Sequence, residues 1–190
     1  MMKSFFFSTV GDDAQVIEFD ADYIMLKYTF TDGRDLDTRT KMLAPVNSDY
    51  LGWARLSRFP ASPADIILDW GGDNTGSGNV DGTTAEAVLI NLINYRAAYP
   101  SDDVIEIDCR CFWYGTAGAN PVIVEATLWK GGTVVKGTPS FQFSNPTASQ
   151  TAILDSVGKI ITLATTNSSS EGERVGIFRY NNATNVGEFI

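Results

Sequence analysis

The chain has 190 residues, of which 44% are hydrophobic and 12% aromatic, a composition that fits one folded domain and excludes a disordered chain. Its net charge of −9, with few and scattered Lys and Arg residues, argues against nucleic acid or an anionic membrane as a partner and favours cations or basic protein surfaces. Two cysteines and no histidine exclude a disulfide framework and a four-ligand zinc site.

Residues 1–19 are predicted to form an N-terminal arm or edge strand, and residues 20–190 a single domain. The apolar run of Phe5, Phe6 and Phe7 is too short for a secretory signal, whose apolar core has about 7–15 residues. We expect these three side chains to lie at an interface with another molecule. No stretch reaches the roughly 18 apolar residues of a membrane span, so membrane insertion is not expected.

Short runs of alternating or apolar, β-branched and aromatic residues dominate the rest of the chain, and Gly, Pro, Asn and Asp turns separate them. This pattern predicts an all-β fold, an antiparallel β-sandwich with at most one short helix. The predicted strands are residues 23–30, 65–70, 104–114, 122–129, 133–135, 140–143, 153–162 and 175–180.

The one helix candidate is the segment from Thr84 to Tyr95. A strand over residues 87–92, followed by a turn over residues 94–100, fits the same segment and is slightly favoured.

Alternation within residues 104–114 predicts one row of side chains facing the core and another facing water. The predicted core row is Ile105, Ile107, Cys109 and Cys111, joined by the ring of Trp113, and the predicted water-facing row is Glu106, Asp108 and Arg110.

Asp35 and Asp37 form the first candidate cation site. They are two positions apart, so on an extended strand both carboxylates lie on one face. Two like charges so close are unfavourable unless a cation sits between them. The alternative is a simple ion pair with Arg34 or Arg39.

The second candidate site is the segment of residues 69–82, which is rich in Asp, Asn and Gly. Calcium takes six to eight oxygen ligands from carboxylates, Asn side chains and main-chain carbonyls, and glycines let a chain curl around such an ion. The spacing is not that of an EF-hand. The alternative is a surface turn that uses its Asx side chains locally.

Three motifs follow one another along the chain: Gly33-Arg34-Asp35-Leu36-Asp37, then Gly72-Asp73-Asn74-Thr75-Gly76-Ser77-Gly78 after a strand, then the apolar run Glu86 to Leu92. Together they resemble the TerD family of tellurium-resistance and stress proteins, over roughly residues 20–130. The resemblance implies a calcium-binding β-sandwich. This chain differs from the family in two ways. No residue separates Asn74 from Thr75, and the acidic cluster is spread from Asp81 to Glu86. The ligands predicted from the residues and the resemblance are Asp35, Asp37, Asp73, Asn74, Asp81 and Glu86.

Without histidine the usual base for a Ser or Cys nucleophile is missing, so we do not expect an enzyme. A single acidic β domain of this kind is typical of structural proteins that decorate a larger body. We therefore predict a calcium-stabilised component of a phage or virus particle, capsid-decorating or tail-associated, whose partners are copies of itself or other proteins of the assembly. The resemblance gives the alternative of a cytoplasmic stress-response protein. A second alternative is a carbohydrate-binding module in which Trp53 and Trp70 stack on sugar rings.

Overall fold

Two six-stranded sheets pack face to face in the part of the chain that the computed structural model describes, residues 16–31, 33–75, 84–153 and 158–190. The first sheet contains β1 (Val16–Glu18), β14 (Val186–Phe189), β13 (Glu173–Asn181), β7 (Val104–Tyr114) and β12 (Ala164–Thr165) in spatial order, with β3 (Leu36–Ala44) also paired to β7. The second contains β11 (Ala148–Ile153), β8 (Ile123–Lys130), β2 (Tyr23–Phe30), β6 (Thr84–Asn91), β5 (Leu68–Trp70) and β4 (Arg58–Phe59).

A separate hairpin of β9 (Thr133–Lys136) and β10 (Phe141–Ser144) and one helix, α1 (Leu92–Ala98), complete the described elements. The described strand pairs are antiparallel except that of β12 with β7, so the predicted antiparallel β-sandwich with one short helix is confirmed. No helix in these residues is long and apolar enough to cross a membrane. Phe5, Phe6, Phe7 and Asp81 lie outside the described residues.

The core lies between the two sheets and follows from alternation. In β2 every second side chain is fully buried, and the ring of Phe30 meets that of Trp113 edge-on at 5.8 Å. The row predicted to face the core from β7 is buried as expected, and Trp113 is fully buried with it. Edge-to-face aromatic contacts of this kind add to the stabilisation that burial gives.

The outer face of the second sheet is also covered, by the β9–β10 hairpin. Phe143 stacks on Trp129 with ring centroids 4.2 Å apart, and Phe141 packs against Ala87 and Leu89. For this reason β6 is buried on both of its faces from Glu86 to Ile90 and does not alternate. A strand buried on both faces and a helix segment look alike in sequence, which explains the ambiguity of residues 84–95.

That ambiguous segment contains both candidate elements in succession. β6 occupies Thr84–Asn91, as favoured, but the turn expected over residues 94–100 is wrong, because α1 begins at Leu92. Asn91 caps the helix: its Oδ1 accepts hydrogen bonds from the amides of Ile93 and Asn94, each at 3.1 Å. The strand predicted over residues 153–162 is wrong for residues 158–162, while residues 154–157 lie outside the described part of the chain. β11 ends at Ile153, and Lys159 makes only an isolated bridge to Val122.

Asp108 contradicts the predicted water-facing row of β7. Its side chain is only 1% exposed and accepts hydrogen bonds from Arg174 Nε at 2.7 Å, Arg110 Nε at 2.8 Å and the Tyr50 hydroxyl at 3.1 Å. Burial acts to raise the pKa of Asp108, but the two guanidinium groups outweigh it and hold the pKa below its usual value. A carboxylate can be buried in this way because two arginines neutralise it and donate hydrogen bonds to it.

We expect Asp108→Asn to lower the free energy of unfolding by about 1.5 kcal/mol, because the charge-assisted hydrogen bonds weaken while the partly exposed arginines regain water. Urea unfolding at pH 7 measures the change. Asp103→Asn, at an exposed position just before the same strand, is the matched control. Equal stability of both variants would contradict the role given to Asp108.

Candidate functional site

A cleft of about 320 Å³ lies at one end of the sandwich and is lined by Asp35, Asp37, Trp53, Asp73, Thr75 and Tyr114. Asp35 immediately precedes β3 and Asp37 is its second residue, while Tyr114 is the last residue of β7. The antiparallel register places Leu36 opposite Trp113, and the Tyr114 amide donates to the Asp35 carbonyl at 2.9 Å. Asp73 comes from the second sheet, from the loop that follows β5.

Two glycines hold the Asp73 loop in place. A Cβ at Gly71 would lie 2.2 Å from the Pro139 carbonyl oxygen, and Gly72 has φ +120°, a conformation that L side chains rarely adopt. The loop therefore passes tightly over residues 138–139. Beyond Asp73, the Asn74 amide donates to Glu86 Oε1 at 3.1 Å, and its Nδ2 donates to the Ala85 carbonyl at 3.2 Å.

Glu86 lies behind the cleft and joins the two sheets. It is fully buried, and its carboxylate accepts hydrogen bonds from the Thr38 hydroxyl of β3, the Trp70 indole nitrogen at 3.4 Å and the Asn74 amide. Burial raises the pKa of Glu86 to about 8, although these three donors lower it. The arrangement fixes the Asp73 loop relative to the strand that carries Asp37.

The three acidic side chains of the cleft act on one another electrostatically. Burial is the main cause that raises the pKa of Asp37 to about 6. Arg39 lowers that pKa, and the carboxylates of Asp35 and Asp73 raise it. Burial and the charge of Asp73 raise the pKa of Asp35, and its Oδ1 is buried with no hydrogen-bond partner. Carboxylates in this state gain from a bound cation.

The arginine that could have neutralised Asp37 is directed elsewhere. Arg39 is fully buried, lies over the Phe112 ring at 4.9 Å, and donates to the carbonyls of Thr38, Ser168 and Ser170. Among residues 16–31, 33–75, 84–153 and 158–190, no Lys or Arg forms an ion pair with Asp35, Asp37 or Asp73. The simple ion pair weighed from the sequence is not present within those residues.

The donor set fits a hard cation. Carboxylates from two sheets converge on one open space, and Asp35 Oδ1 lacks the partner that a buried carboxylate oxygen requires. In the described part of the chain, no three acidic or Cys side chains already stand in the arrangement of a closed metal centre. Calcium would therefore have to draw these carboxylates together, with Asp35, Asp37 and Asp73 as its ligands from this part.

The two tryptophans considered for sugar binding are in different environments. Trp70 is 8% exposed, and its indole nitrogen is bonded to Glu86. Trp53 is 50% exposed and lines the cleft. Tyr114 was missed from the sequence, since only the register of β3 with β7 brings it to the acidic residues. Thr75 belongs to the segment of residues 69–82 that was singled out, but it was not among the predicted ligands.

No known protein-family model and no curated protein matches this sequence. What the cleft does is therefore inferred from its own side chains. The strongest signals are its three carboxylates, its two exposed rings and the buried Glu86 that supports them.

Proposed function

We propose that the protein is a non-enzymatic structural module whose β-sandwich is stabilised by calcium at this cleft. Asp35, Asp37 and Asp73 are the proposed ligands. The observation that carries the proposal is the convergence of three carboxylates, two of them with raised pKa values, that form no salt bridge with any Lys or Arg of the described residues. A divalent cation removes the repulsion between them and stabilises the folded state in proportion to its occupancy.

The supporting residues have separate roles in this proposal. Glu86 and Asn74 position the Asp73 loop, because the Glu86 carboxylate is already occupied by three donors from the protein. The remaining calcium ligands would come from main-chain carbonyls or water. Calcium accepts such mixed oxygen shells readily.

The resemblance to TerD proteins supports the calcium proposal. The residues that carry it, Asp35, Asp37, Asp73 and Asn74, come from separate parts of the chain and meet at one end of the fold. A family relationship is part of the proposal, and it predicts calcium in preference to magnesium. The cleft is open and draws its side chains from strand ends and loops, whereas magnesium demands a near-octahedral shell and gives up its water reluctantly.

A non-enzymatic role is supported by the state of the two thiols. Cys109 and Cys111 are fully buried, and burial raises the pKa of Cys109 to about 12. A nucleophilic cysteine needs the opposite, an accessible thiolate of lowered pKa. With no histidine in the chain, the usual base for a hydroxyl nucleophile is also missing.

The setting we propose is a phage or virus particle, with copies of this chain or other proteins of the assembly as partners. Analytical ultracentrifugation at several protein concentrations tests it. A defined oligomer, or a requirement for partner proteins in order to stay in solution, is the expected result. A monodisperse monomer in the presence of calcium would instead favour the cytoplasmic stress-protein alternative.

Isothermal titration calorimetry with calcium tests the metal site itself. We expect saturable binding by the wild type and at least about tenfold weaker binding by Asp73→Ala, because a charged ligand is lost. Asp102→Ala is the matched control: it removes an exposed Asp before the far end of β7 and should leave the affinity unchanged. Equal affinity of wild type and Asp73→Ala would count against the proposed ligands, and no binding by any of them would reject the site.

A further inference from the structure

We propose that the same cleft binds a carbohydrate, a single pyranose whose neighbouring hydroxyls coordinate the bound calcium while its ring lies against Trp53 and Tyr114. This inference rests on the proposed function, because the cation has to be present before the sugar can bind. The sequence predicted a metal site and, as an alternative, a sugar site. Both would lie in this cleft, because Trp53 lines it together with the three carboxylates.

Trp53 is held in an exposed position by the main chain around it. Trp53 lies in the turn after Gly52. Two hydrogen bonds fix this turn: the Gly52 amide donates to the Leu56 carbonyl at 3.1 Å, and the Arg55 amide donates to the Gly52 carbonyl at 3.1 Å. A Cβ at Gly52 would lie 2.1 Å from the Thr38 carbonyl oxygen, so the turn sits directly on β3. The ring of Trp53 is therefore exposed to solvent on a turn whose main chain is fixed.

Tyr114 provides the second ring. It is 46% exposed at the end of β7, where its amide donates to the Asp35 carbonyl, and the next amide, that of Gly115, donates to the Thr165 carbonyl, both at 2.9 Å. Both aromatic residues are therefore positioned by backbone hydrogen bonds before any ligand arrives. Such preorganisation reduces the entropy lost on binding.

The acidic side chains supply a second observation that points to a ligand. Asp37 is 3% exposed and yet lines the cleft, and the buried Oδ1 of Asp35 has no hydrogen-bond partner. Calcium on these residues would keep coordination positions on the open side, since it needs six to eight oxygens. Sugar hydroxyls fill such positions without adding charge, whereas a carboxylate or phosphate ligand would not use the two aromatic rings.

The size and walls of the cleft select one sugar unit. Its volume of about 320 Å³ lies at the lower end of the range of ligand sites, roughly 300–1,000 Å³. One face of a pyranose is apolar C–H and packs on an aromatic ring, while its edge carries hydroxyls. The cleft offers the same two surfaces, the rings of Trp53 and Tyr114 on its walls and the carboxylates that would hold the cation.

The test uses a panel of probes, the methyl glycosides of mannose, glucose, galactose, fucose and N-acetylglucosamine, titrated into the full-length protein by ligand-observed NMR. Each is measured with saturating calcium and again with EGTA. At least one should bind in calcium and lose at least about tenfold in affinity in EGTA or on Trp53→Ala. Trp53→Phe, which keeps an aromatic ring, should retain most of the binding. Ile93→Ala, at an exposed position on α1, is the matched control.

Calorimetric calcium binding, measured without sugar, separates the two proposals. Trp53 is not a proposed metal ligand, so Trp53→Ala should bind calcium as the wild type does. Calcium binding without binding of any glycoside overturns the carbohydrate inference and leaves the proposed function intact. Sugar binding that persists in EGTA, or that Trp53→Ala does not weaken, also overturns it. The absence of calcium binding overturns both. Binding of a lysine or arginine methyl ester in place of sugars would assign the cleft to a basic partner and overturn the inference.

Discussion

Replacing Glu86 with alanine should lower the free energy of unfolding by about 3 kcal/mol, the range expected when a buried hydrogen-bonding hub is removed. The substitution leaves a cavity between the sheets and removes the carboxylate that accepts from the Thr38 hydroxyl, the Trp70 indole nitrogen and the Asn74 amide. The Asp73 loop would lose its tie to β3. Calcium affinity should therefore fall by at least about tenfold even though Glu86 is not a proposed ligand.

Glu86→Gln separates the loss of volume from the loss of an acceptor. The amide fills the same space, but all three partners are donors or can act as donors, so its NH2 group must face either the Asn74 amide or the indole nitrogen. At pH 9, where Glu86 with its pKa of about 8 is ionised, we expect a loss of stability about half that of Glu86→Ala. Chemical denaturation and calcium calorimetry of both variants give the two readouts. Unchanged calcium affinity in a folded Glu86→Ala protein would contradict the positioning role.

The calcium-free protein should lose about 5 kcal/mol of stability between pH 5 and pH 8. Burial raises the pKa of Asp37 from 3.8 to about 6 and that of Glu86 from 4.5 to about 8. The folded state therefore holds protons that the unfolded chain has already released. Stability from this source is complete below the unfolded pKa values and is lost as the pH rises through the folded ones. Asp22, Asp108 and Glu173, whose pKa values are lowered, are ionised throughout this range and do not offset the loss.

Calcium should reverse this trend, because it binds the ionised carboxylates and displaces their protons. We expect its affinity to increase as the pH rises through about 6, the pKa of Asp37. Calcium at 100 times its dissociation constant should add about 2.7 kcal/mol to the free energy of unfolding. Thermal melts at pH 5, 6, 7 and 8, each with calcium and with EGTA, measure both effects. A melting temperature in EGTA that rises from pH 5 to pH 8 would contradict the assignment of these two groups.

The sequence was sufficient to predict the sandwich and the pairing of Asp35 with Asp37, because both depend on local periodicity. Alternation also identified Trp113 and the apolar row of β7 as core. The burial of Asp108 could not be predicted in this way. It depends on Arg174, which is 66 positions away and becomes a neighbour only when β13 pairs with β7.

Tyr114 illustrates the same limit at the cleft. Nothing near it in the chain marks it as a site residue, and only the pairing of Leu36 with Trp113 brings it beside Asp35. The separation of Trp53 from Trp70 is likewise a tertiary effect. The indole nitrogen of Trp70 is held by Glu86, and the ring of Trp53 is presented by a turn fixed on β3.

Two arginines, Arg39 and Arg55, bind the main chain of the serine-rich segment near the cleft. Their guanidinium groups donate hydrogen bonds to the carbonyls of Ser168, Ser169 and Ser170. A carbonyl oxygen is present whatever the side chain. The side chains at positions 168 and 169 can therefore change without loss of these hydrogen bonds. In relatives of this protein we expect both arginines to be conserved and the segment that they contact to vary in sequence.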